Sequence, residues 1–510
     1  MQNAKRVILN TGILYAKMLV TIGISLYSTR LVLSALGVSD YGTYNLIAGI
    51  IIMLSFINVA MTTSTQRYFS FYQGTKDTKM QKDIFRNSLL LHLAIGVILI
   101  IILLLVSLFL FDDFLNIPEE RIFAAKAVYY FMLFSVLATV LSVPFTATLN
   151  AHENMLWIAI GNTIEVMLKL GVAFSLYIYD GDKLIFYGLS IAIISIMSLL
   201  FYSFFCMKKY SECTLNLHKA VNPKLMKELA SFAGWNLFGA LCGVGRTQGL
   251  AIILNLFFGT VVNAAYGLAN QVSGQMNFFS VTMLRALNPQ IMKSEGAGDR
   301  QRMLRLSMMA SKFGFFLLAF VAIPCIFEMP SILHSWLKEI PEYTISFCIL
   351  ILVAIMTNQL TIGLQSAIQA TGRIKIYQSI VGIILLLNLP ISYFLLKQDF
   401  PIYSVMISFI MIELIACGFR ILFLKKIVGL SVKEYINRVL LMELVPVLAS
   451  TSVCLLITNV LCFDFRFIFT FIVSIIVFVI CIYFWGLCKD EKAIVNDMAK
   501  KGLAKLRVKS

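Results

Sequence analysis

Long apolar runs, separated by short segments bearing charges, glycine or proline, follow one another along almost the whole chain. Each run is about 20 residues long, which at 1.5 Å per residue crosses roughly 30 Å of hydrocarbon as a helix. Cutting at the polar clusters predicts about fourteen helices: 8–35, 43–68, 87–111, 122–149, 156–179, 184–207, 231–257, 263–287, 306–328, 344–369, 378–396, 402–424, 439–461 and 467–487. The first run opens with MQNAKRVILNTGILYAKMLV and stays apolar far beyond a signal-peptide core, with Lys17 inside it, so it reads as a retained span. An even number of spans places both termini on one side.

Composition narrows this to an all-α polytopic membrane protein. The 510 residues are 59% hydrophobic and 13% charged, with a mean hydropathy of +0.87, which excludes an ordinary soluble domain. The net charge of +16 would suggest nucleic acid in a soluble chain, but here the positions of the charges decide. About 32 of the 42 Lys and Arg fall in alternate segments, such as Lys76/Lys79/Lys82/Arg86 and Lys208/Lys209/Lys219/Lys224/Lys227; about 6 fall in the others. That asymmetry orients both termini to the cytoplasm, and nucleic acid drops out as a partner.

The outer loops are short and acidic, carrying Asp112, Asp113, Glu119 and Glu120 in one, Asp180 and Asp182 in another, and Glu339 and Glu342 in a third. They leave no room for a sizeable catalytic domain. Trp336 and Tyr343 suit the headgroup level as interfacial anchors. In the inner loops Asn222-Pro223 and Ser431…Glu434 have helix-start spacing, which predicts short basic helices lying along the inner leaflet. The ten cysteines sit mostly in apolar runs and read as packing residues, and His152 lacks ligand spacing, so no metal is expected. No phosphate-binding lysine loop or nucleophile elbow occurs, so the chain is expected to use no cofactor, not to be an enzyme, and to draw no energy from bound ATP.

Three weak echoes recur in order. LGVSDYGTYN at Leu36–Asn45 returns as FFGTVVNAAYGLAN at Phe257–Asn270, QGTKD at Gln73–Asp77 as EGAGD at Glu295–Asp299, and ATLNAHENM at Ala147–Met155 as SAIQATGRI at Ser366–Ile374. The pattern predicts two parallel six-helix bundles, 1–210 and 211–430, followed by two extra helices and a basic tail at 431–510. Parallel repeats of this kind enclose a central cleft and work by alternating access.

These turns, together with RYFSFYQGTKD after the second span and NPQIMKSEGAGDRQRML after the eighth, resemble the polysaccharide-biosynthesis flippases. Those are the O-antigen and capsule repeat-unit translocases of the multidrug/oligosaccharidyl-lipid/polysaccharide exporter superfamily. The resemblance implies a multidrug-and-toxin-extrusion-like fold in a bacterial inner membrane. It implies a monomer among membrane lipids that moves undecaprenyl-pyrophosphate-linked oligosaccharide from the cytoplasmic to the outer leaflet, beside a polysaccharide polymerase or chain-length regulator. A cation-coupled multidrug exporter and a lipid-II flippase are the alternatives; a membrane glycosyltransferase or polymerase fits the short outer loops less well.

Ionisable groups deep in a span are costly and mark functional candidates. Lys17 and Arg246 lie in the first helix of each half and are the candidates for holding a pyrophosphate, since Arg presents a fork and Lys a point charge to phosphate oxygens. Arg30 and Arg67, near span ends, join them as weaker candidates. Glu165 and Lys169 have i,i+4 spacing and pair along one helix face; Glu165 and Glu413 are candidates for ion coupling. Asn255, Asn263, Asn270, Gln271 and Gln275 form a polar stripe suited either to sugar hydroxyls or to bonds between helices.

Overall fold

The computed structural model describes residues 55–111, 119–214, 222–336, 340–461 and 465–493, together with positions 12, 20, 21, 23–25, 27–37, 40, 41, 43, 44, 47, 48 and 463. Lys17 lies outside them. The regular structure described is helical throughout: α1 Ser55–Gly74, α2 Thr78–Phe109, α3 Ile122–Ala151, α4 Met155–Ser175, α5 Lys183–Lys209, α6 Pro223–Gly296, α7 Arg300–Phe327, α8 Met329–Trp336, α9 Thr344–Gln359, α10 Ile362–Thr371, α11 Ile374–Lys397, α12 Ser404–Val428, α13 Val432–Val460 and α14 Arg466–Gly486. Among the described residues ten helices are long and apolar enough to cross a membrane, and α9 with α10 makes one further, broken span. The chain is a multi-pass membrane protein, and the large apolar side chains on its surface, such as Ile98, Leu105 and Phe109 along α2, are those that lipid covers.

The repeat read from the sequence is reproduced in backbone detail. Lys76 and Gly298, 222 positions apart in QGTKD and EGAGD, both have positive φ, 59° and 76°. The next residue caps the following helix in each half: Asp77 accepts from Met80 N at 2.9 Å and Asp299 from Arg302 N at 3.0 Å. Asp77 N donates to Tyr72 O and Asp299 N to Ser294 O, again in register. Glu153 and Gly372 match in the same way in the third echo, with φ 57° and 77°. Gly37 and Gly259 match in the first, with φ 80° and 76°, and at Gly259 the backbone leaves helical geometry and breaks α6 into two helices.

Two compact units result, Ile8–Leu237 and Phe238–Ser510, dividing within α6. The start of α6 belongs to the first unit because Ser64 Oγ donates to Leu229 O at 3.1 Å and Met61, Val143 and Ala233 pack together. In that unit α3 is the spine, burying Val128, Tyr129 and Met132 against Leu103 of α2 and Leu184 of α5, with Tyr129 Oη donating to Leu103 O at 2.7 Å. In the other unit α7 is the spine. Two-thirds (67%) of its apolar stretch is buried against 22% for its repeat partner α2. The difference comes from α13 and α14, whose Cys454 and Phe478 pack on Phe315, Phe316, Ala319 and Ile323 of α7.

Two sequence expectations need correction. The basic segments after 222 and 431 are not separate helices along a leaflet: Asn222 and Ser431 do cap, accepting from Leu225 N and Glu434 N, but each helix runs on into a span. Helix formation does not stop at the membrane surface when no glycine or proline breaks it. The span expected at 344–369 is broken at Leu360–Thr361, where α9 and α10 meet at a 43° bend.

Candidate functional site

The break between α9 and α10 frees backbone groups inside the unit Phe238–Ser510, and buried side chains satisfy them. Tyr435 Oη donates to Leu360 O, and Gly363 N donates to Ser311 Oγ at 3.0 Å. Only glycine fits at 363, since a Cβ there would stand 2.1 Å from Ser307 O. Arg420, 3% exposed, donates from Nη1 to Thr361 Oγ1 at 3.0 Å and from Nε to Tyr377 Oη at 3.1 Å.

Beside this break lies a buried charge cluster. Small residues bring α6 onto α11: a Cβ at Gly249 would meet Leu389 at 2.7 Å, and one at Gly382 would meet Cys242 Sγ at 2.8 Å. That approach sets Arg246 of α6 against Glu413 of α12, with Nη2 to Oε1 at 2.8 Å. The other oxygen of Glu413 accepts from Asn358 Nδ2 of α9 at 2.9 Å and lies 4.0 Å from Arg420 Nη2. The Arg246 guanidinium sits 3.8 Å over the centroid of Phe409. Its Nε and Nη1 are buried with no hydrogen-bond partner. Two arginines and one glutamate give the cluster one excess positive charge. Arg246 and Glu413, separate candidates from sequence, are therefore partners, and Arg420, Asn358 and Tyr377 complete a site that sequence reasoning missed. The polar run TNQLT at 357–361, inside an apolar stretch, was the available signal.

The unit Ile8–Leu237 contains a cavity of about 220 Å³ lined by Ser25, Ser28, Thr29, Tyr41, Tyr44 and Tyr187, with Val32, Val166 and Lys169. Ser28 is 9% exposed and its hydroxyl has no partner, while the Tyr44 and Tyr187 rings stand edge to face at 4.7 Å. Lys169 Nζ bonds Glu165 at 2.7 Å, and Ser198 donates to the other oxygen of Glu165 at 3.3 Å. Among the described residues the lining thus holds hydroxyls, aromatic faces and one cation, Lys169, with its partner Glu165 set behind it. The turn LGVSDYG supplies Tyr41, and its Asp40 is fixed by Arg121 (Nε to Oδ1, 2.8 Å), which also grips Asp182, the cap of α5, at 2.8 Å. Burial works against ionisation of Asp182, but Arg121 and the Ile185 and Leu184 amides outweigh it and hold the carboxyl below its ordinary range.

The remaining candidates are dispersed. Arg30 is exposed, and Arg67 is buried among the rings of Tyr68, Phe71 and Phe232 at 4.6, 5.1 and 5.3 Å. Asn270 donates to Tyr266 O one turn back, while Asn255, Gln271 and Gln275 are exposed; the side chain of Asn263 lies outside the description. The stripe therefore forms no single buried lining among the described residues.

The all-helical chain superposes over most of its length on solved membrane transporters, and it is the fold that they share. Residues 15–175, all but the ends of the first unit's spans 1–5, match the MatE family model. No curated protein matches the chain. The outward-facing conformation of a multidrug resistance MATE family transporter of the MOP superfamily superposes with a TM-score of 0.70 at 14% identity, over 82% of this chain and 95% of that one. A MATE structure in the bent conformation gives 0.73 at 14%, over 83% and 95%. A MOP superfamily transporter from Pyrococcus furiosus Vc1, described by a reverse polarity of its binding pocket that suggests a different function, gives 0.70 at 15%, over 82% and 95%. The fold is the MATE fold.

Proposed function

We propose that this chain is an alternating-access transporter that carries an anionic, sugar-bearing lipid, an undecaprenyl-pyrophosphate-linked oligosaccharide, from the cytoplasmic to the outer leaflet of a bacterial inner membrane. The observation that carries the reading is the lining of the cavity in the first unit. Sugar rings are bound by hydroxyls that donate and accept and by aromatic faces; a cationic drug is bound by carboxylates. Here three hydroxyl residues, three tyrosines and Lys169 line the space, which at about 220 Å³ has room for roughly one sugar ring. The unpartnered donors of Arg246 support the same cargo, because a fork with one arm on Glu413 still has two donor nitrogens, Nε and Nη1, for a phosphate oxygen. Pocket polarity varies within this fold, as the Pyrococcus furiosus protein is described to show, so the multidrug label of the first structure does not transfer with the fold.

Deleting the gene from its host tests the proposal in cells. Lipid-linked units are expected to accumulate on the inner leaflet and surface polysaccharide to be lost, with recovery on return of the wild type but not of Lys169→Glu, which places an acid in the lining. Undiminished surface polysaccharide in the deletion strain contradicts it.

A further inference from the structure

Glu443, in the first half of α13, has no part in either site above. It is 3% exposed, and neither of its carboxyl oxygens has a hydrogen-bond partner. An ionised carboxylate so placed, with no hydrogen-bond donor on either oxygen, is strongly disfavoured. α13 packs along α7, and the buried cation of α7 is Lys312, 1% exposed. Lys312 is committed elsewhere: its Nζ lies 2.5 Å from Glu491 and 3.6 Å from Cys488 Sγ, in the segment that follows α14. The arginines of α13 and α14 are likewise committed to other acids. Tyr435, in the first turn of α13, donates its hydroxyl hydrogen bond to Leu360 O; Arg438 is held by Glu434 at 3.2 Å and Asp490 at 3.9 Å. Arg466, the charged residue of α14, is taken by Glu328 at 3.0 Å, and Cys481 and Tyr483 are its remaining titratable groups.

We propose that Glu443 is a proton-binding site that controls how the C-terminal helix pair is fastened to α7. In the present arrangement the carboxyl carries a proton and Lys312 stays with Glu491. Loss of that proton to the aqueous phase leaves a buried carboxylate that draws the Lys312 ammonium away from Glu491, so the 488–493 segment is released. The ligand is a proton rather than a metal ion, because one carboxylate cannot supply the several oxygens a metal needs, and no group of three His, Cys, Asp or Glu fit to hold a metal occurs among the described residues.

The test is infrared difference spectroscopy of the full chain in phosphatidylethanolamine/phosphatidylglycerol vesicles, titrated with pH. A protonated-carboxyl C=O band is expected at neutral pH, lost in Glu443→Gln, kept in Glu413→Gln, and lost in the wild type as pH rises. Lys312→Gln, which removes the cation that favours the ionised form, is expected to move that loss upward by about 1 pH unit or more. Glu443→Gln mimics the neutral acid and keeps the fold, so it serves even where the lysine variant does not assemble. Maleimide labelling of Cys488, read by mass spectrometry, is expected to be several-fold faster in the wild type than in Glu443→Gln at the alkaline end and equal at the acid end. Absence of a band that Glu443→Gln removes, a band whose loss needs sodium, or equal labelling at every pH overturns the proposal.

Discussion

At the scale of single residues, charge balance in the Arg246–Glu413–Arg420 cluster orders the cost of substitutions. Removing Arg246 leaves Glu413 with Asn358 and Arg420, whereas removing Glu413 leaves two buried arginines with no acid. Glu413→Gln is therefore expected to cost about 3–5 kcal/mol and Arg246→Gln clearly less, as read by unfolding in detergent; the reverse order contradicts the assignment. Gly363→Ala is expected to cost about 1–3 kcal/mol, since its methyl would meet the Ser307 carbonyl, and unchanged unfolding would show that the two helices can part there. Glu212, on the loop after α5, has its carboxyl held below the ordinary range: burial alone raises it, but the bond to His152 Nε2 at 2.5 Å outweighs that. A depressed folded value stabilises the fold above the ordinary glutamate range and is lost as pH falls through it, so the wild type is expected to lose thermal stability below about pH 4 and Glu212→Gln to show a flatter profile. Sequence reasoning found Arg246 and Glu413 because each interrupts an apolar run. It did not pair them, because helix–helix register depends on glycine contacts between distant segments.

Among the elements, the repeat was readable from three loose echoes because each marks a turn whose backbone chemistry is local: a residue of positive φ, followed in the second echo by a capping aspartate. Lys76 and Glu153 occupy the left-handed region where the second half uses Gly298 and Gly372. Lys76→Gly is accordingly expected to stabilise by about 1 kcal/mol, measured by thermal unfolding, and a loss of stability would mean that the lysine side chain is needed there. The break between α9 and α10 was not readable, because its polar groups are met by Tyr435, Ser311 and Arg420 from other helices. The expected leaflet helices failed for a complementary reason: caps announce where a helix starts, and nothing in VNPKLMKEL or GLSVKEYI makes it stop. The clamp from Arg121 to Asp40 and Asp182 gives the LGVSDYG turn a purpose that its sequence alone did not disclose, namely holding Tyr41 at the cavity.

For the whole molecule, the all-helical repeat with an added C-terminal pair could be read from periodicity and from the alternation of basic loops, and likeness to solved MATE structures agrees with that architecture. Cargo is a finer matter. It rests on which atoms line a cavity, and those come from spans 1, 2, 5 and 6 together, a grouping no stretch of sequence displays. The most direct measurement is leaflet-to-leaflet movement of a fluorescent undecaprenyl-pyrophosphate-linked oligosaccharide in proteoliposomes holding the full chain, beside ethidium transport in the same vesicles. Flipping of the lipid-linked sugar well above empty vesicles, reduced about tenfold or more by Lys169→Glu, with no ethidium transport, is the predicted result. Ethidium transport with no movement of the lipid-linked sugar would contradict it.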